Sequence, residues 1–257
     1  MRKGQTHATV LGVKITSKDK REVLEKVDFC LTRGKKFYIT TPNPEIIVQA
    51  QDDKKLKESL EKSNISIVDG VGLKLALKVL GFDGYRITKG REMFIELLKI
   101  ANERGYKVFL LGGVNRVNKR CIEKILKEFP NINIQGNSGP KLNNDAKPVS
   151  EVDSKLYKDT LRDINMSKPD FLFVAFGAPK QEKWVFDNIE NLKVKGVMVV
   201  GGTLDYFSGE ASLPPEWLSA IGLEWMWRLI KEPSRISRIY NAVFVFPILV
   251  LKSRLMI

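Results

Sequence analysis

The chain has 257 residues, of which 43% are hydrophobic and 28% charged, and its formal net charge at pH 7 is +13. This composition is typical of a globular protein and excludes a disordered one, and the length suffices for one large domain with or without an appendage. The excess of Lys and Arg indicates an anionic partner, which is nucleic acid, a phosphorylated ligand or an acidic membrane surface.

Residues for metal or nucleophile chemistry are scarce in this sequence. Cys30 and Cys121 lie far apart, which fits a reducing compartment and predicts no disulfide. His7 is the only histidine, so the sequence offers no zinc ligand set and no base for a Ser or Cys nucleophile. The opening segment "MRKGQTHATVLGVKI" lacks the sustained apolar core of a secretory signal. We therefore expect a cytoplasmic protein that needs no metal and no cofactor.

One pattern recurs along the chain: an apolar or β-branched run ends in Gly, Pro, Asn or Asp, and an amphipathic stretch follows. It occurs in "KFYITTPNPEIIVQA", "ISIVDGVGLKLALKVLG", "YKVFLLGGVNRVNKRCIEKILKEF", "PDFLFVAFGAPKQEKWVFDNI" and "GVMVVGGTLDYFSG". Strands that alternate with helices predict βαβ units. The expected fold is therefore α/β and Rossmann-like, with a mainly parallel sheet covered by helices on both faces. The segment "QGNSGPKLNNDAKP" is predicted to be a polar loop.

Polar residues and glycines gather where the predicted strands end, and ligands bind beyond the carboxyl ends of such strands. Turns of this kind expose N–H groups that bind anions. Each glycine taken alone is explained by a tight turn, but several turns on one sheet edge predict a site of nucleotide size. The dinucleotide fingerprint and the P-loop motif are both absent. The residues at these ends are Thr41, Asn43, Asp69, Gly112, Gly113, Gly177, Gln181, Gly202 and Asp205.

Asp69 stands between an apolar run and a glycine turn in "NISIVDGVGLKLAL". One interpretation is that its carboxylate caps the following helix. The other is that it faces a ligand and takes a proton from an attacking hydroxyl. With an ordinary Asp pKa it would already be ionised at pH 7. Glycosyl transfer suits such a base, provided that cations and helix N-termini stabilise the departing diphosphate.

The composition changes after Gly209, so we predict a catalytic domain over residues 1–209 and a helical appendage over 210–257. Pro233 is expected to break or restart a helix. The apolar run "AVFVFPILVL" has about ten residues, too few to span a membrane. The appendage is either a helix packed on the domain or an interfacial helix, and the two are compatible. We favour a membrane-binding appendage, because Trp217, Trp225, Trp227 and the bases Arg228, Lys231, Arg235 and Arg238 concentrate there.

The ordered motifs "TPNPE", "VDGVG", "LLGG", "FGAPKQE", "GGTLDYFSG" and "GLEWMWRLIKEPSRISR" resemble those of the WecG/TagA/CpsF family of bacterial glycosyltransferases, over nearly the whole chain. The resemblance implies transfer of an N-acetylmannosamine-type sugar from a UDP donor to polyprenyl-diphosphate-linked N-acetylglucosamine. It also implies inversion without a metal, on the cytoplasmic face of the membrane. In the TagA branch this step begins the linkage unit of wall teichoic acid.

The resemblance also implies roles for individual residues. Asp69 would be the general base, and Arg228 would stabilise the leaving diphosphate. The chain departs from the family pattern in two places. In "RITKGRE" the spacing from Arg86 to Gly90 differs from that of the family, and at Leu213-Pro214-Pro215 an arginine of the family is missing. The implied substrate-binding residues are Thr41, Asn43, Arg86, Gly112, Gly113, Gly177, Lys180, Gln181, Gly202, Asp205, Arg235 and Arg238.

Three other interpretations remain. A sibling transferase would use another UDP-sugar, such as a uronic acid or a hexose. A membrane-bound nucleotide sensor would bind the same ligands without catalysis. A nucleic-acid binder is disfavoured, because the basic and aromatic residues concentrate beside an apolar run and not on a base-stacking platform. The expected partners are thus a UDP-sugar, a polyprenyl-diphosphate acceptor and an anionic membrane surface. The sequence leaves a homo-oligomer in solution open.

Overall fold

The computed structural model describes residues 7–114, 116–220 and 222–255. A six-stranded sheet with the order β4-β3-β8-β7-β5-β6 forms its centre, and all neighbouring strands are parallel. The predicted α/β fold with a parallel sheet is therefore confirmed. The six strands are β3 Phe37–Thr40, β4 Ile65–Ser66, β5 Lys107–Gly112, β6 Asn133–Asn137, β7 Phe171–Ala175 and β8 Gly196–Val199, and an antiparallel hairpin of β1 Ala8–Val10 and β2 Val13–Ile15 precedes them.

Strand β6 corrects the prediction of a polar loop, because residues 135–137 of that segment belong to this strand. β6 lies at the edge of the sheet and pairs only with β5. Its side chains are exposed or half-buried, so its sequence lacks the apolar run that marked the central strands. Gly136 is required there, since a Cβ would lie 2.2 Å from the carbonyl oxygen of Leu110.

Helices cover both faces of the sheet, as the alternating pattern predicted. One face packs under α1, α5 and α6 through buried residues that include Phe37, Phe94 and Phe173. The other packs under α7 and α8 through Tyr38 and Trp184. The helices of this part of the chain are α1 Lys20–Thr32, α2 Pro44–Asp52, α3 Lys54–Lys62, α4 Val71–Val79, α5 Gly90–Arg104, α6 Val117–Glu128, α7 Glu151–Ser167, α8 Lys180–Asn188 and α9 Thr203–Ser208.

The C-terminal segment, here called the tail, consists of α10 Glu216–Ala220, α11 Glu224–Lys231 and a longer helix, Pro233–Leu255. The helix breaks and restarts at Pro233, as predicted. α11 ends at Lys231, Glu232 is non-helical, and Pro233 begins a 3₁₀ turn. The long helix continues through α12 Ile236–Tyr240 and a π-helical turn, Asn241–Val245, into α13 Phe246–Leu255. The π-helical turn precedes Pro247, whose ring and missing N–H do not fit a regular α-helix.

The long helix corrects the expectation about its length. The ten-residue apolar run is part of a continuous helix of 23 residues, and by length and composition this helix, alone among those described, is able to cross a membrane. One side of it packs on the domain, because Phe246 and Val250 are buried in a cluster with residues of α2, α4 and the hairpin. The alternative of a helix packed on the domain is therefore observed for this side of the helix, and membrane binding by the tail remains a prediction.

Candidate active site

A cavity of about 750 Å³ opens at the carboxyl ends of β3, β4, β7 and β8, and the tail forms its opposite wall. Its position fits the rule that ligands bind beyond the carboxyl ends of the strands in an open parallel sheet. The cavity brings together residues predicted from four separate motifs and from the tail. The predicted residues that line it are Thr41, Asn43, Asp69, Gly177, Gln181, Gly202, Asp205, Arg228, Arg235 and Arg238.

Four other predicted residues are not among those that line this cavity. Gly112 ends β5, and a Cβ there would lie 2.6 Å from the backbone of Ala175. Gly113 packs in the same way on the helix that follows, because a Cβ would lie 3.2 Å from the amide nitrogen of Asn118. Arg86 is exposed, and Lys180 begins α8. The two glycines have a packing role, and a ligand contact by any of the four remains a prediction.

Asp69 follows β4 and precedes the first turn of α4. Gly70 is the N-cap of this helix, with φ 102° and no hydrogen bond from a capping side chain. The interpretation of Asp69 as a helix cap is therefore wrong for this structure. Its carboxylate lines the cavity instead.

The electrostatic environment of Asp69 differs from the one expected from sequence. Burial raises its pKa to about 6, against the attraction of Arg228, while Glu224 adds to the rise. The assumption of an ordinary Asp pKa is therefore wrong. With a pKa of about 6, roughly nine-tenths of the carboxyl groups are still ionised at pH 7. A carboxylate with a pKa near the working pH is well suited to accept a proton.

Gln181 and Glu182 form a buried pair at the start of α8. The side-chain amide of Gln181 donates to Oε1 of Glu182 over 2.8 Å, and its oxygen accepts from the N–H of Gly201 over 3.0 Å. Burial raises the pKa of Glu182 to about 7. Its Oε2 has no hydrogen-bond partner among the described residues. The pair therefore connects the turn after β8 to the start of α8. Glu182 was not predicted from the sequence, although it belongs to the motif "FGAPKQE".

Thr41 and Asn43 follow β3 at the floor of the cavity. Asn43 caps α2, because its Oδ1 accepts from the N–H of Ile46 over 3.0 Å. Thr41 packs on the start of α5, where a Cβ at Gly90 would lie 3.1 Å from its methyl group. Both positions are thus fixed by neighbouring helices while they line the cavity.

The turn after β8 leads into α9, whose first turn contains Asp205. Burial raises the pKa of Asp205, and nearby Glu232 raises it further, while Arg235 lowers it. Glu232 and Arg235 belong to the tail. The carboxylate of Asp205 therefore faces charged tail residues across the cavity.

The four tail bases Arg228, Lys231, Arg235 and Arg238 line one cavity, although Pro233 divides the helices that carry them. The guanidinium of Arg228 stands 5.7 Å from the ring centre of Tyr206. Arg238 forms an ion pair with Glu45 and donates to the carbonyl oxygen of Ala178 over 3.4 Å.

The cavity also contains charged residues that sequence reasoning missed. Lys89 and Arg91 flank the first residue of α5, and both bind Glu224 of α11. Burial raises the pKa of Glu224, but hydrogen bonds from Lys89 and Ser219 hold it below its usual value. In the sequence, "TKGRE" showed two bases around a glycine but gave no sign of their partner.

Taken together, the fold and the cavity define an α/β enzyme with a charged ligand site at the carboxyl edge of a parallel sheet. The model of the Glycosyl transferase WecG/TagA/CpsF family matches residues 8–257. The chain belongs to this family and is a glycosyltransferase. The resemblance read from the motifs is therefore confirmed.

Three relatives of this chain share one name, N-acetylglucosaminyldiphosphoundecaprenol N-acetyl-beta-D-mannosaminyltransferase. The protein of Bacillus subtilis (strain 168) is 34% identical over 206 residues, which cover 79% of this chain and 75% of the relative. The protein of Staphylococcus aureus (strain MRSA252) is 28% identical over 242 residues, 93% of this chain and 91% of the relative. The protein of Bacillus spizizenii is 31% identical over 212 residues, 82% and 77% of the two chains.

Proposed function

We propose that this protein transfers N-acetylmannosamine from UDP-N-acetylmannosamine to polyprenyl-diphosphate-linked N-acetylglucosamine, an early step in assembly of the wall teichoic acid linkage unit. The names of the relatives support this choice of donor and acceptor. The structural observation that most supports glycosyl transfer is that the Asp69 carboxylate and the tail arginines line the same cavity. A base and a cluster of cations are what glycosyl transfer from a sugar diphosphate requires.

The reaction proceeds in one displacement. A hydroxyl of the acceptor sugar attacks the anomeric carbon of the donor while Asp69 takes its proton. The bond from that carbon to the diphosphate oxygen breaks, and its electron pair leaves with UDP. Attack and departure on opposite faces invert the anomeric centre. Charge develops on the departing oxygen, and Arg228, Arg235 and Arg238 lie in the cavity to stabilise it.

We propose that the tail lies on the cytoplasmic face of the membrane. The large exposed apolar residues of its long helix are Ile236, Tyr240, Phe244, Ile248, Leu251 and Leu255. Their spacing of three or four positions places them on one side of the long helix. Phe246 and Val250 on another side pack on the domain. A helix that carries a domain on one side and a bare apolar stripe on the other suits a membrane surface better than a span. In this proposal, residues 1–209 are the catalytic domain and 210–257 the appendage.

The experiment is UDP release from UDP-N-acetylmannosamine with a short-chain lipid-diphosphate-N-acetylglucosamine acceptor. Release by the wild-type protein should depend on the acceptor and persist in excess chelator. Asp69→Asn should lose at least about 100-fold in rate, which is the usual contribution of a general base, and still bind the donor. Asp83→Asn changes an exposed carboxylate outside the cavity lining and serves as the matched control.

Other outcomes of this experiment separate the alternatives. Release only from a UDP-linked uronic acid or hexose would identify a sibling transferase. Donor binding with no release from any UDP-sugar would favour the sensor without catalysis. Loss of release in chelator would contradict the metal-independent mechanism.

A further inference from the structure

The first residue of α11, Glu224, connects the tail to the start of α5. Its Oε1 lies 2.6 Å from Nζ of Lys89 and 3.4 Å from an Nη atom of Arg91. The three side chains are each about one-quarter exposed. Gly90, between the two cations, packs on Thr41 at the cavity floor. The carboxylate of a tail residue is therefore bound to cations that are fixed to the catalytic domain.

Polar contacts help to hold α11 in place. None of its residues is fully buried, and its apolar side chains are half-buried or exposed. Trp227 donates from its indole N–H to the carbonyl oxygen of Ser212 over 3.2 Å, in the segment that leads into the tail. Arg228 lies over Tyr206 of α9. The ion pairs of Glu224 connect α11 to the α5 side of the cavity.

Glu224 and Arg228 are four residues apart, so they project from the same side of α11. When Glu224 is bound to Lys89 and Arg91, Arg228 is brought to the cavity beside Asp69. We propose that Glu224 is a positioning residue, whose ion pair with Lys89 and Arg91 docks α11 so that Arg228 reaches the reacting groups. This inference rests on the proposed function for the role of Arg228, but not for the docking itself.

The catalytic test is a double-mutant cycle. Glu224→Gln keeps the size of the side chain and removes its charge. We expect it to lower kcat by about tenfold, the order of effect of one such coupling, with a smaller change in KM for the donor. On an Arg228→Ala background the same substitution should have almost no further effect, because Glu224 acts through Arg228. An equal loss on both backgrounds would overturn the proposal.

Docking is measured without turnover, from acrylamide quenching of tryptophan fluorescence and from tryptic cleavage after Lys231. Trp225 and Trp227 lie on α11 and report its position. Glu224→Gln should increase quenching and speed cleavage severalfold at an unchanged Tm, and Lys89→Met should do the same. Glu216→Gln, at an exposed acid of α10, is the matched control. Unchanged quenching and cleavage would contradict the docking role even if the protein proved inactive on every donor.

Discussion

Gln181 and Gly201 are joined by a hydrogen bond of 3.0 Å, from the Gly201 N–H to Oε1 of the Gln181 side chain. The other end of the same amide donates to Glu182. The protein thus uses both ends of the Gln181 amide to fix the turn that follows β8. Gln181 was predicted to contact the sugar nucleotide, and that contact remains a prediction. The buried acid behind it has a consequence for stability.

Replacing Glu182 by Gln should stabilise the folded state at high pH. Burial raises the pKa of Glu182 from 4.5 to about 7, so the folded protein holds a proton that the unfolded chain releases between these values. The free energy of unfolding therefore falls as the pH rises through this window. Glu182→Gln removes the titrating group and with it this loss of stability. We expect the free energy of unfolding of the variant to exceed that of wild type by about 3 kcal/mol at pH 8 and by under about 1 kcal/mol at pH 5.

Urea denaturation of both proteins at pH 5 and pH 8 checks this prediction. Subtracting the two curves cancels the titration of other groups, including Asp69. Glu61→Gln, at an exposed position of α3, should show no such dependence on pH. A difference between Glu182→Gln and wild type that is the same at both pH values would show that Glu182 does not titrate between them.

Ionisation of Asp69 should determine how kcat/KM rises with pH on the acidic side of its pH profile, here called the acidic limb. The base must be ionised to accept a proton, and its pKa is about 6. We therefore expect kcat/KM to rise about tenfold per pH unit below pH 6 and to level above it. Arg228 lowers the pKa of Asp69, so Arg228→Gln should move the limb to higher pH as well as reduce the rate. Arg33→Gln, an exposed control outside the cavity lining, should leave the limb in place. A limb at the same pH in wild type and Arg228→Gln would refute the coupling.

The central part of the fold was readable from sequence for a physical reason. β3, β5, β7 and β8 are largely buried, so each is a short apolar run that ends at a turn. β6 lies at the edge, where one side of the strand needs no neighbour, and its polar sequence gave no such signal. The hairpin β1–β2 went unpredicted because its strands have three residues each.

The site was only partly readable, because its contacts depend on residues far apart in the chain. Lys89 and Glu224 are 135 residues apart, and no local pattern pairs them. Glycines were ambiguous in sequence for a second reason. Gly112 and Gly177 both follow or end a strand, but only the three-dimensional packing shows that one of them touches backbone and the other faces the cavity.

These two glycines should therefore respond differently to alanine. Both have positive φ, 101° at Gly112 and 76° at Gly177, so each substitution carries backbone strain of about 1–3 kcal/mol. At Gly112 the added methyl also meets the Ala175 backbone at 2.6 Å, and we expect a total loss of about 3 kcal/mol or more. At Gly177 no atom lies within 4 Å, so the strain is the whole cost.

Denaturation and donor titration together check this pair. Gly177→Ala should fold and bind the donor more weakly, since its methyl group enters the cavity lining. Gly112→Ala should lose stability, and the fraction that folds should bind the donor normally. Weaker donor binding by folded Gly112→Ala would support the predicted ligand contact at that glycine.

Phe244 and Phe246 lie on different sides of the long helix, and they allow its two surfaces to be tested separately. Phe244 is 58% exposed, whereas Phe246 is 2% exposed in the cluster beneath the helix. Phe246→Ala should cost about 3–5 kcal/mol of stability, because it leaves a cavity in packed core. Phe244→Ala should change stability by less than about 0.5 kcal/mol. Its effect should appear on vesicles of anionic lipid, where losing a buried aromatic side chain weakens binding about tenfold or more. Flotation that is equal for Phe244→Ala and wild type would mean that this side of the helix does not enter the membrane.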